Sequence, residues 1–181
     1  SLLCRRSRPV SLSPVQGREP SSKIEAVGQM KILRPEPLTS AAFMEFGDVI
    51  ETADHTAIII NQGFAERFDD LADIDVTSEG GKAKVSLFQT SVRPSPITID
   101  MMERHPLGSQ LFYPLQDRPW LLVVCADPDD AASFKAFTAT GKQGVNYRRN
   151  VWHFPLLVLN EGSRFIVVDR TGPGNNLEER K

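Results

Sequence analysis

Short apolar segments separated by turn residues constrain this fold more than any other feature of the sequence. The segments are rich in Val, Ile, Leu and Phe, which favour β-strands. Gly, Pro, Asp and Asn lie between the segments and favour turns. About ten short strands at this spacing predict an all-β antiparallel sandwich or barrel and argue against an α/β fold. The predicted strands are residues 48–51, 56–61, 83–89, 97–103, 110–115, 120–126, 145–147, 151–154, 156–160 and 165–169.

One or two short helices are expected beside these strands. Thr39 and Ser40 can cap a helix over residues 38–46, and Gly47 follows that segment as a terminator. Residues 129–137 are a candidate for a second helix.

Residues 1–29 differ from the rest of the chain. They carry several Arg, Ser and Pro residues and no apolar periodicity. Arg- and Ser-rich, acid-poor starts occur in transit peptides, but Met30 and the residues after it resemble a natural start. We therefore expect residues 1–29 to be an N-terminal extension, either disordered or upstream of the natural protein, and residues 30–181 to form one domain.

The charge balance and the two cysteines limit the partners and the compartment. Lys and Arg number 21 against 23 Asp and Glu, so the net charge of -2 gives no reason to expect nucleic acid or an anionic membrane as partner. The longest apolar run, residues 120–126, is far shorter than the roughly 20 residues of a membrane span. Cys4 and Cys125 lie in very different settings, so we expect no disulfide and a reducing, cytoplasmic location.

Glu103, His105 and Gln110 form the first group of candidate site residues. Glu103 and His105 are two positions apart at the end of a predicted strand, so their side chains point to the same face. A turn sequence at residues 106–109 separates them from Gln110, which opens the next predicted strand. If these two strands form a hairpin, Gln110 lies beside Glu103 and His105.

His153 is the centre of the second group. In its apolar surroundings it can be a histidine of the core that is hydrogen-bonded to backbone. A small barrel has only one interior, however, and inward polar residues from several strands meet there. Because burying such groups is costly, we expect Glu103, His105, Gln110 and His153 to form one site. His55 lies in a polar loop and is expected to be exposed.

Two segments, residues 103–110 and 143–153, resemble the ureidoglycolate lyase family. The first reads Glu-Arg-His-Pro-Leu-Gly-Ser-Gln, and the second ends in Arg-Asn-Val-Trp-His. The resemblance extends in matching order from about residue 31 to residue 170. Shorter family-like segments lie at residues 61–63, 66–68, 164–165 and 169–170.

The resemblance implies a cupin-type double-sheet β-barrel, which is jelly-roll-like. Cupins typically hold a metal ion through His-x-His-x(3–4)-Glu and a histidine of a second motif. Here the corresponding residues are Glu103, His105, Gln110 and His153, so two of the four usual ligands are changed. Two histidines and one carboxylate can still hold a divalent ion, and the family is associated with nickel. The same residues can equally bind substrate directly, and no organic cofactor is expected.

The resemblance also implies the reaction. Family members remove urea from (S)-ureidoglycolate and leave glyoxylate, a step of allantoin and purine breakdown, and they are typically homodimers. The substrate is a carbinolamine, so its breakdown requires a base for the hydroxyl proton and an acid for the departing nitrogen. His105 or Glu103 is the expected base. His153 is the expected acid or a metal ligand.

The remaining substrate groups need binding residues. Arg149 is the first choice for the substrate carboxylate because a guanidinium binds carboxylates bidentately. Arg67 and Arg93 are weaker choices. Gln110 and Asn146 are expected to hydrogen-bond the ureido group.

Two other functions share this architecture. One is a different cupin enzyme, such as a sugar epimerase or isomerase. The other is a cupin that binds a small carboxylate without converting it, for which Gln110 in place of a carboxylate ligand gives some support.

Overall fold

The computed structural model describes residues 31–181 in full and residues 2–4 as a strand. Two β-sheets form the body of the domain. In chain order the elements are β1 (Leu2–Cys4), β2 (Lys31–Leu33), β3 (Glu36–Pro37), α1 (Ser40–Phe43), β4 (Gly47–Ile50), β5 (Ile58–Ile60), β6 (Ala65–Arg67), β7 (Lys82–Gln89), β8 (Ile97–Ile99), β9 (Met102–Arg104), β10 (Gln110–Pro114), β11 (Trp120–Cys125), β12 (Lys135–Ala139), β13 (Gly144–Tyr147), β14 (Trp152–His153), β15 (Leu157–Val158), β16 (Arg164–Thr171) and β17 (Glu178–Arg180). Single 3₁₀ turns lie at Asn61–Gly63, Ser78–Gly80 and Ala131–Ser133.

A five-stranded sheet and a seven-stranded sheet face each other. The five-stranded sheet has the order β4-β13-β10-β16-β7. The seven-stranded sheet has the order β17-β9-β14-β11-β12-β3, and β15 pairs with β11 beside this path. A small sheet of β2-β1-β8 and a hairpin of β5 and β6 complete the described topology. The prediction of an all-β fold with two facing sheets is confirmed.

Strand β11 shows how the two sides of the seven-stranded sheet are filled. All six of its residues are buried, because successive side chains point to opposite faces and both faces are covered. One set of side chains packs between the two large sheets, and this space is called the interior below. The other set packs in a second apolar cluster on the outer side of the seven-stranded sheet, which is called the outer cluster below. The inward residues are Trp120, Leu122 and Val124, and the outward residues are Leu121, Val123 and Cys125.

The first predicted helix is present, but the second prediction is wrong. Thr39 caps α1 by accepting a hydrogen bond from the backbone N–H of Ala42. In residues 129–137 the chain makes one 3₁₀ turn and then enters β12. The hydroxyl of Ser133 donates to the carbonyl oxygens of Asp127 and Asp130, which closes the turn locally. The chain after it is extended and pairs with β11.

Two strand predictions also need correction. The predicted strand at residues 97–103 is divided: β8 pairs with β1, whereas β9 pairs with β14 and β17. The predicted hairpin around residues 106–109 does not form, because β9 belongs to the seven-stranded sheet and β10 to the five-stranded sheet. This turn therefore carries the chain from one sheet to the other.

The strand β1 lies within residues 1–29, where sequence analysis expected an extension outside the domain. It pairs with β2 and β8. The domain boundary at residue 30 remains a prediction. Within the described residues, no helix is long and apolar enough to cross a membrane.

Candidate active site

Glu103 and His153 face each other across neighbouring strands. They are direct partners in the pairing of β9 with β14, so their side chains lie on the same face. Trp152, the neighbour of His153 in the chain, packs in the outer cluster, and His153 therefore points into the interior. The Nε2 atom of His153 lies 3.5 Å from Oε1 of Glu103.

His153 is surrounded by oxygen atoms. Its side chain is only 2% exposed. Nδ1 lies 2.9 Å from the carbonyl oxygen of Val151, which can only accept, so Nδ1 carries a hydrogen. Nε2 faces Oε1 of Gln110 at 3.2 Å as well as the carboxylate of Glu103. These contacts are satisfied when Nε2 also carries a hydrogen or binds a cation.

His105 has the opposite arrangement. Its Nδ1 lies 2.7 Å from the backbone carbonyl oxygen of Asn176 and therefore donates a hydrogen bond to it. In the neutral ring this leaves Nε2 with a lone pair. Nε2 of His105 is buried and has no hydrogen-bond partner among the described residues. Its ring centroid lies 5.3 Å from that of His153.

Tyr147 forms one wall of this group and was not predicted from sequence. Its ring stacks on the ring of His153, with centroids 4.3 Å apart and an interplanar angle of 9°. Tyr147 pairs with Gln110 across β13 and β10, so both residues face the interior. Burial raises the pKa of the Tyr147 hydroxyl, and the charge of Glu103 raises it further. Tyr147 is therefore protonated and can only act as a neutral donor or acceptor.

The electrostatic environment separates the roles of Glu103 and His105. Burial alone would raise the pKa of Glu103, but the hydrogen bond with His153 and the charges of His153, His105 and Arg93 outweigh it and lower that pKa. Burial lowers the pKa of His105, and the charge of His153 lowers it further. The contact with Asn176, the charge of Glu103 and the nearby side chain of Gln110 oppose this only in part. At neutral pH Glu103 is thus an anion and His105 a neutral base.

Glu103, His105 and His153 also fit a divalent metal ion. One ligand atom from each of them lies within 4.8 Å of the other two. Backbone carbonyls hold both imidazoles at Nδ1, an arrangement that is common for metal-binding histidines. The buried Nε2 of His105 lacks a partner among the described residues, and Nε2 of His153 needs a hydrogen or a cation. Two histidines and one carboxylate are a known donor set for divalent metals.

The structure does not bring Asn146 to this group. Asn146 precedes Tyr147 in β13, so its side chain points to the opposite face of the sheet. There its Nδ2 donates to Asp48 at 3.0 Å and to the carbonyl oxygen of Asp73 at 2.8 Å.

The predicted carboxylate-binding residue, Arg149, has a carboxylate partner within the protein. Its guanidinium lies 2.7 Å from Asp75 and also donates to the hydroxyl of Ser78. Arg67 likewise pairs with Asp69 at 2.9 Å.

Arg93 differs from these two arginines. Among residues 31–181 it has no carboxylate within ion-pair distance, and its guanidinium lies 4.6 Å from the ring centroid of Phe154. It is close enough to the site that its charge lowers the pKa of Glu103. His55 is exposed, as expected.

The ureidoglycolate lyase family matches residues 30–181. The ureidoglycolate lyase of Burkholderia mallei (strain NCTC 10229) is 55% identical over 152 residues, which are 83% of this chain and 89% of that protein. Ureidoglycolate lyase 1 of Rhizobium meliloti (strain 1021) is 52% identical over 149 residues, covering 82% of this chain and 88% of that protein.

A more distant relative and a solved structure extend the comparison. The ureidoglycolate lyase of Pseudomonas syringae pv. tomato is 47% identical over 152 residues, covering 83% of this chain and 89% of that protein. A mutant of oxalate decarboxylase from Bacillus subtilis is 10% identical, with a TM-score of 0.34 over 59% of this chain and 29% of that one. This structural likeness is too small to carry an argument. The family match and the relatives are sufficient: the chain belongs to the ureidoglycolate lyase family.

Proposed function

We propose that this protein is a ureidoglycolate lyase, a carbon–nitrogen lyase that releases urea from (S)-ureidoglycolate and leaves glyoxylate. Such a reaction recovers nitrogen in the breakdown of allantoin and purines. One observation carries the proposal beyond family membership. Two buried histidines and an ionised glutamate meet in the interior, and one histidine presents a lone pair while the other requires a hydrogen or a cation.

The reaction begins at the substrate hydroxyl. One carbon of ureidoglycolate bears a hydroxyl, a hydrogen, a carboxylate and the ureido nitrogen. Nε2 of His105 is a neutral base with no partner among the described residues, and it takes the hydroxyl proton. The oxygen then forms the C=O bond of glyoxylate as the bond from carbon to the ureido nitrogen breaks.

The departing nitrogen receives its proton from His153. With hydrogens on both ring nitrogens, His153 donates to Val151, Gln110 and Glu103. The carboxylate of Glu103, 3.5 Å from Nε2, is placed to accept the hydrogen bond of an Nε2–H before the transfer. A positioned acid and a positioned base each contribute roughly 10²–10⁴-fold to the rate. One proton leaves the hydroxyl and one joins the nitrogen, so glyoxylate and urea are the only products.

Substrate binding uses Gln110 and an arginine. The amide of Gln110 lies beside His153 and is suited to hydrogen-bond the ureido group. We assign the substrate carboxylate to Arg93, because Arg149 already pairs with Asp75. Asn146 hydrogen-bonds Asp48 and Asp73 on the other face of its strand, which supports a structural role instead of substrate binding.

A divalent metal would be held by Glu103, His105 and His153, with the amide oxygen of Gln110 beside them. When bound, it would act as a Lewis acid that makes the substrate hydroxyl more acidic. It would take the place of the acid and base roles described above, because Nε2 of His105 and Nε2 of His153 would then be ligands. Nickel is the metal suggested by the family resemblance.

The proposed enzyme is a cytoplasmic homodimer that acts on a small molecule. The wide separation of Cys4 and Cys125 in the sequence supports a reducing compartment. An uncovered apolar strand, β7, supports a dimer.

The proposed reaction is tested by measuring urea and glyoxylate released from (S)-ureidoglycolate. The wild type should release both in equal amounts. His105→Ala should lower kcat by roughly 10²–10⁴-fold because it removes the base. His55→Ala is the matched control, since His55 is exposed, and it should retain the wild-type rate.

Circular dichroism should show the same fold for both variants. A wild type that releases no urea would refute the proposed function, and a His105→Ala variant with normal turnover would refute the assigned base.

Metal dependence has a separate test. If a metal takes over the roles of His105 and His153, elemental analysis of the purified protein should find a divalent ion, and treatment with a chelator should remove both the ion and the activity. Glu103→Gln should lower the measured metal affinity, because an amide is a weaker ligand than a carboxylate. Full activity in a preparation without metal would show that the three residues act directly on the substrate.

A further inference from the structure

The segment from residue 172 to residue 180, called the strap below, crosses the site after β16 ends. Gly172 and Gly174 have φ angles of 140° and 85°, a region that favours glycine. A Cβ atom on Gly174 would overlap with Glu79 and Leu107, so the strap lies directly against the turn that follows His105. The strap ends in β17, which pairs with β9.

The strap is fastened to the strand that carries Glu103. In the register of β17 with β9, Glu179 is the partner of Glu103, and Glu178 is the partner of Arg104. The guanidinium of Arg104 lies 2.6 Å from the carboxylate of Glu178. Backbone pairing and this ion pair therefore fix the strap relative to β9.

Asn176 connects the strap to His105 by two contacts. Its side-chain Oδ1 accepts a hydrogen bond from the backbone N–H of Leu107 at 2.8 Å. Its backbone carbonyl accepts the Nδ1–H of His105 at 2.7 Å. The contact with Leu107 holds Asn176 beside the chain that follows His105. It therefore also keeps the carbonyl oxygen of Asn176 in position to accept the hydrogen bond from His105.

This carbonyl decides which nitrogen of His105 faces the site as a base. A carbonyl oxygen can only accept, so it stabilises the tautomer with hydrogen on Nδ1 and a lone pair on Nε2. The other tautomer would lose this hydrogen bond and would present an N–H to the substrate hydroxyl. Such a ring could neither take the proton nor bind a metal through Nε2.

We propose that Asn176 is a positioning residue, which holds His105 in the tautomer and orientation that the reaction needs; this rests on the proposed function. The strap is then a part of the active site that touches no reacting atom. Residues that hydrogen-bond the other ring nitrogen of a metal-binding histidine have a comparable role. Their loss typically costs 10–100-fold in metal affinity or activity.

The experiment compares Asn176→Ala, Asn176→Asp and Asn175→Ala with the wild type, each in the full chain. Asn176→Ala removes the acceptor for Leu107 N–H, and kcat should fall about tenfold or more while KM changes little. Asn176→Asp keeps an acceptor oxygen and should recover most of the rate. Asn175→Ala removes the same chemical group one position away, where Oδ1 serves only Leu177 N–H, and it should match the wild type.

A second measurement separates positioning from simple loss of structure. Long-range ¹H–¹⁵N NMR correlations report the tautomer of each of the three histidines in the chain. The wild type should show His105 with hydrogen on Nδ1, and Asn176→Ala should show the other tautomer appearing for His105 alone.

Two outcomes would overturn the proposal. One is an Asn176→Ala variant with unchanged kcat and an unchanged His105 tautomer. The other is a loss of kcat with the tautomer unchanged, which would assign Asn176 a purely structural role. If the wild type released no urea, the proposed function would fail, but the NMR comparison would still decide whether Asn176 sets the tautomer.

Discussion

The two histidines of the site differ in what their Nε2 atoms meet. Nε2 of His153 meets oxygen atoms of Gln110 and Glu103, whereas Nε2 of His105 has no partner among the described residues. Both rings donate from Nδ1 to a backbone carbonyl. The difference therefore comes from the side chains around Nε2, and it supports the proposed roles of His105 in proton removal and of His153 in proton donation.

A substitution of Arg93 tests whether this residue or Arg149 binds the substrate carboxylate. Arg93→Ala should raise KM for ureidoglycolate about tenfold or more, because a hydrogen bond to a charged group contributes about 1.5–3 kcal/mol. Its kcat should change little if the contact is equal in the ground state and the transition state. Steady-state kinetics measure both constants.

Arg149→Ala is the comparison variant. It breaks the ion pair with Asp75 and should lower the melting temperature, while KM remains within a small factor of the wild type. If KM rose in Arg149→Ala and not in Arg93→Ala, the carboxylate-binding role would return to Arg149, as the sequence had suggested.

The structure brings together those side chains whose face could be predicted from the alternation of residues along a strand. Glu103 and His105 share a face because they are two positions apart, and His153 is opposite Glu103. Asn146 lies on the face opposite to that of Tyr147, because the facing of β13 depends on its pairing with β10, which no local pattern records. The position of Tyr147 follows from this pairing, because Tyr147 is the register partner of Gln110 and therefore faces the interior with it.

Asn176 could not be predicted at all. It acts through a backbone carbonyl, which every residue has, and it comes from a polar segment without strand periodicity. Its contact with His105 spans 71 positions in sequence.

At the scale of elements, segments with a clear apolar pattern were predicted well and polar strands were missed. β7, β10, β11 and β16 all contain Val, Leu or Phe in strand-like order. β17, by contrast, reads Glu-Glu-Arg and becomes a strand only because β9 offers it an unpaired edge. Pairing between strands, and not intrinsic preference, determines such elements.

The crossing from β9 to β10 explains how the predicted residues converge although the predicted hairpin does not form. Sequence analysis expected Gln110 to reach His105 and Glu103 within one sheet. Instead, the turn passes between the sheets, and Gln110 approaches His153 from the facing side. The residues converge because two inward faces oppose each other, which is a property of the closed sandwich.

At the scale of the whole molecule, strand β7 presents an uncovered apolar surface. Val85 and Leu87 of β7 are 70% and 72% exposed on the outer face of the five-stranded sheet. Their neighbour in the chain, Phe88, turns inward and contacts Phe112. β7 is the edge of its sheet and pairs with β16 alone among the described strands. An edge strand with exposed apolar residues favours association.

Pairing with a second copy of the chain would give the free edge of β7 a hydrogen-bonding partner and would bring its exposed apolar residues into contact with those of the other copy. Two β7 strands related by a two-fold axis can pair antiparallel, which would extend the sheet across both subunits and place Val85 and Leu87 of the two copies side by side on the outer face. We therefore expect the wild type to be a dimer in solution. Light scattering coupled to size-exclusion chromatography should give twice the chain mass of 20.1 kDa.

Leu87→Glu should convert this dimer to a monomer, because the substitution places two carboxylates in the apolar contact, one from each copy. Phe64→Glu is the matched control: Phe64 is 89% exposed in the hairpin of β5 and β6, which is a separate sheet from that of β7, and its replacement should leave the mass unchanged. A wild type that remained a monomer at tens of micromolar would contradict the dimer. A Leu87→Glu variant that remained a dimer would place the interface elsewhere. Because the site lies within one interior, built from Glu103, His105 and His153 of the same chain, monomeric Leu87→Glu should still release urea.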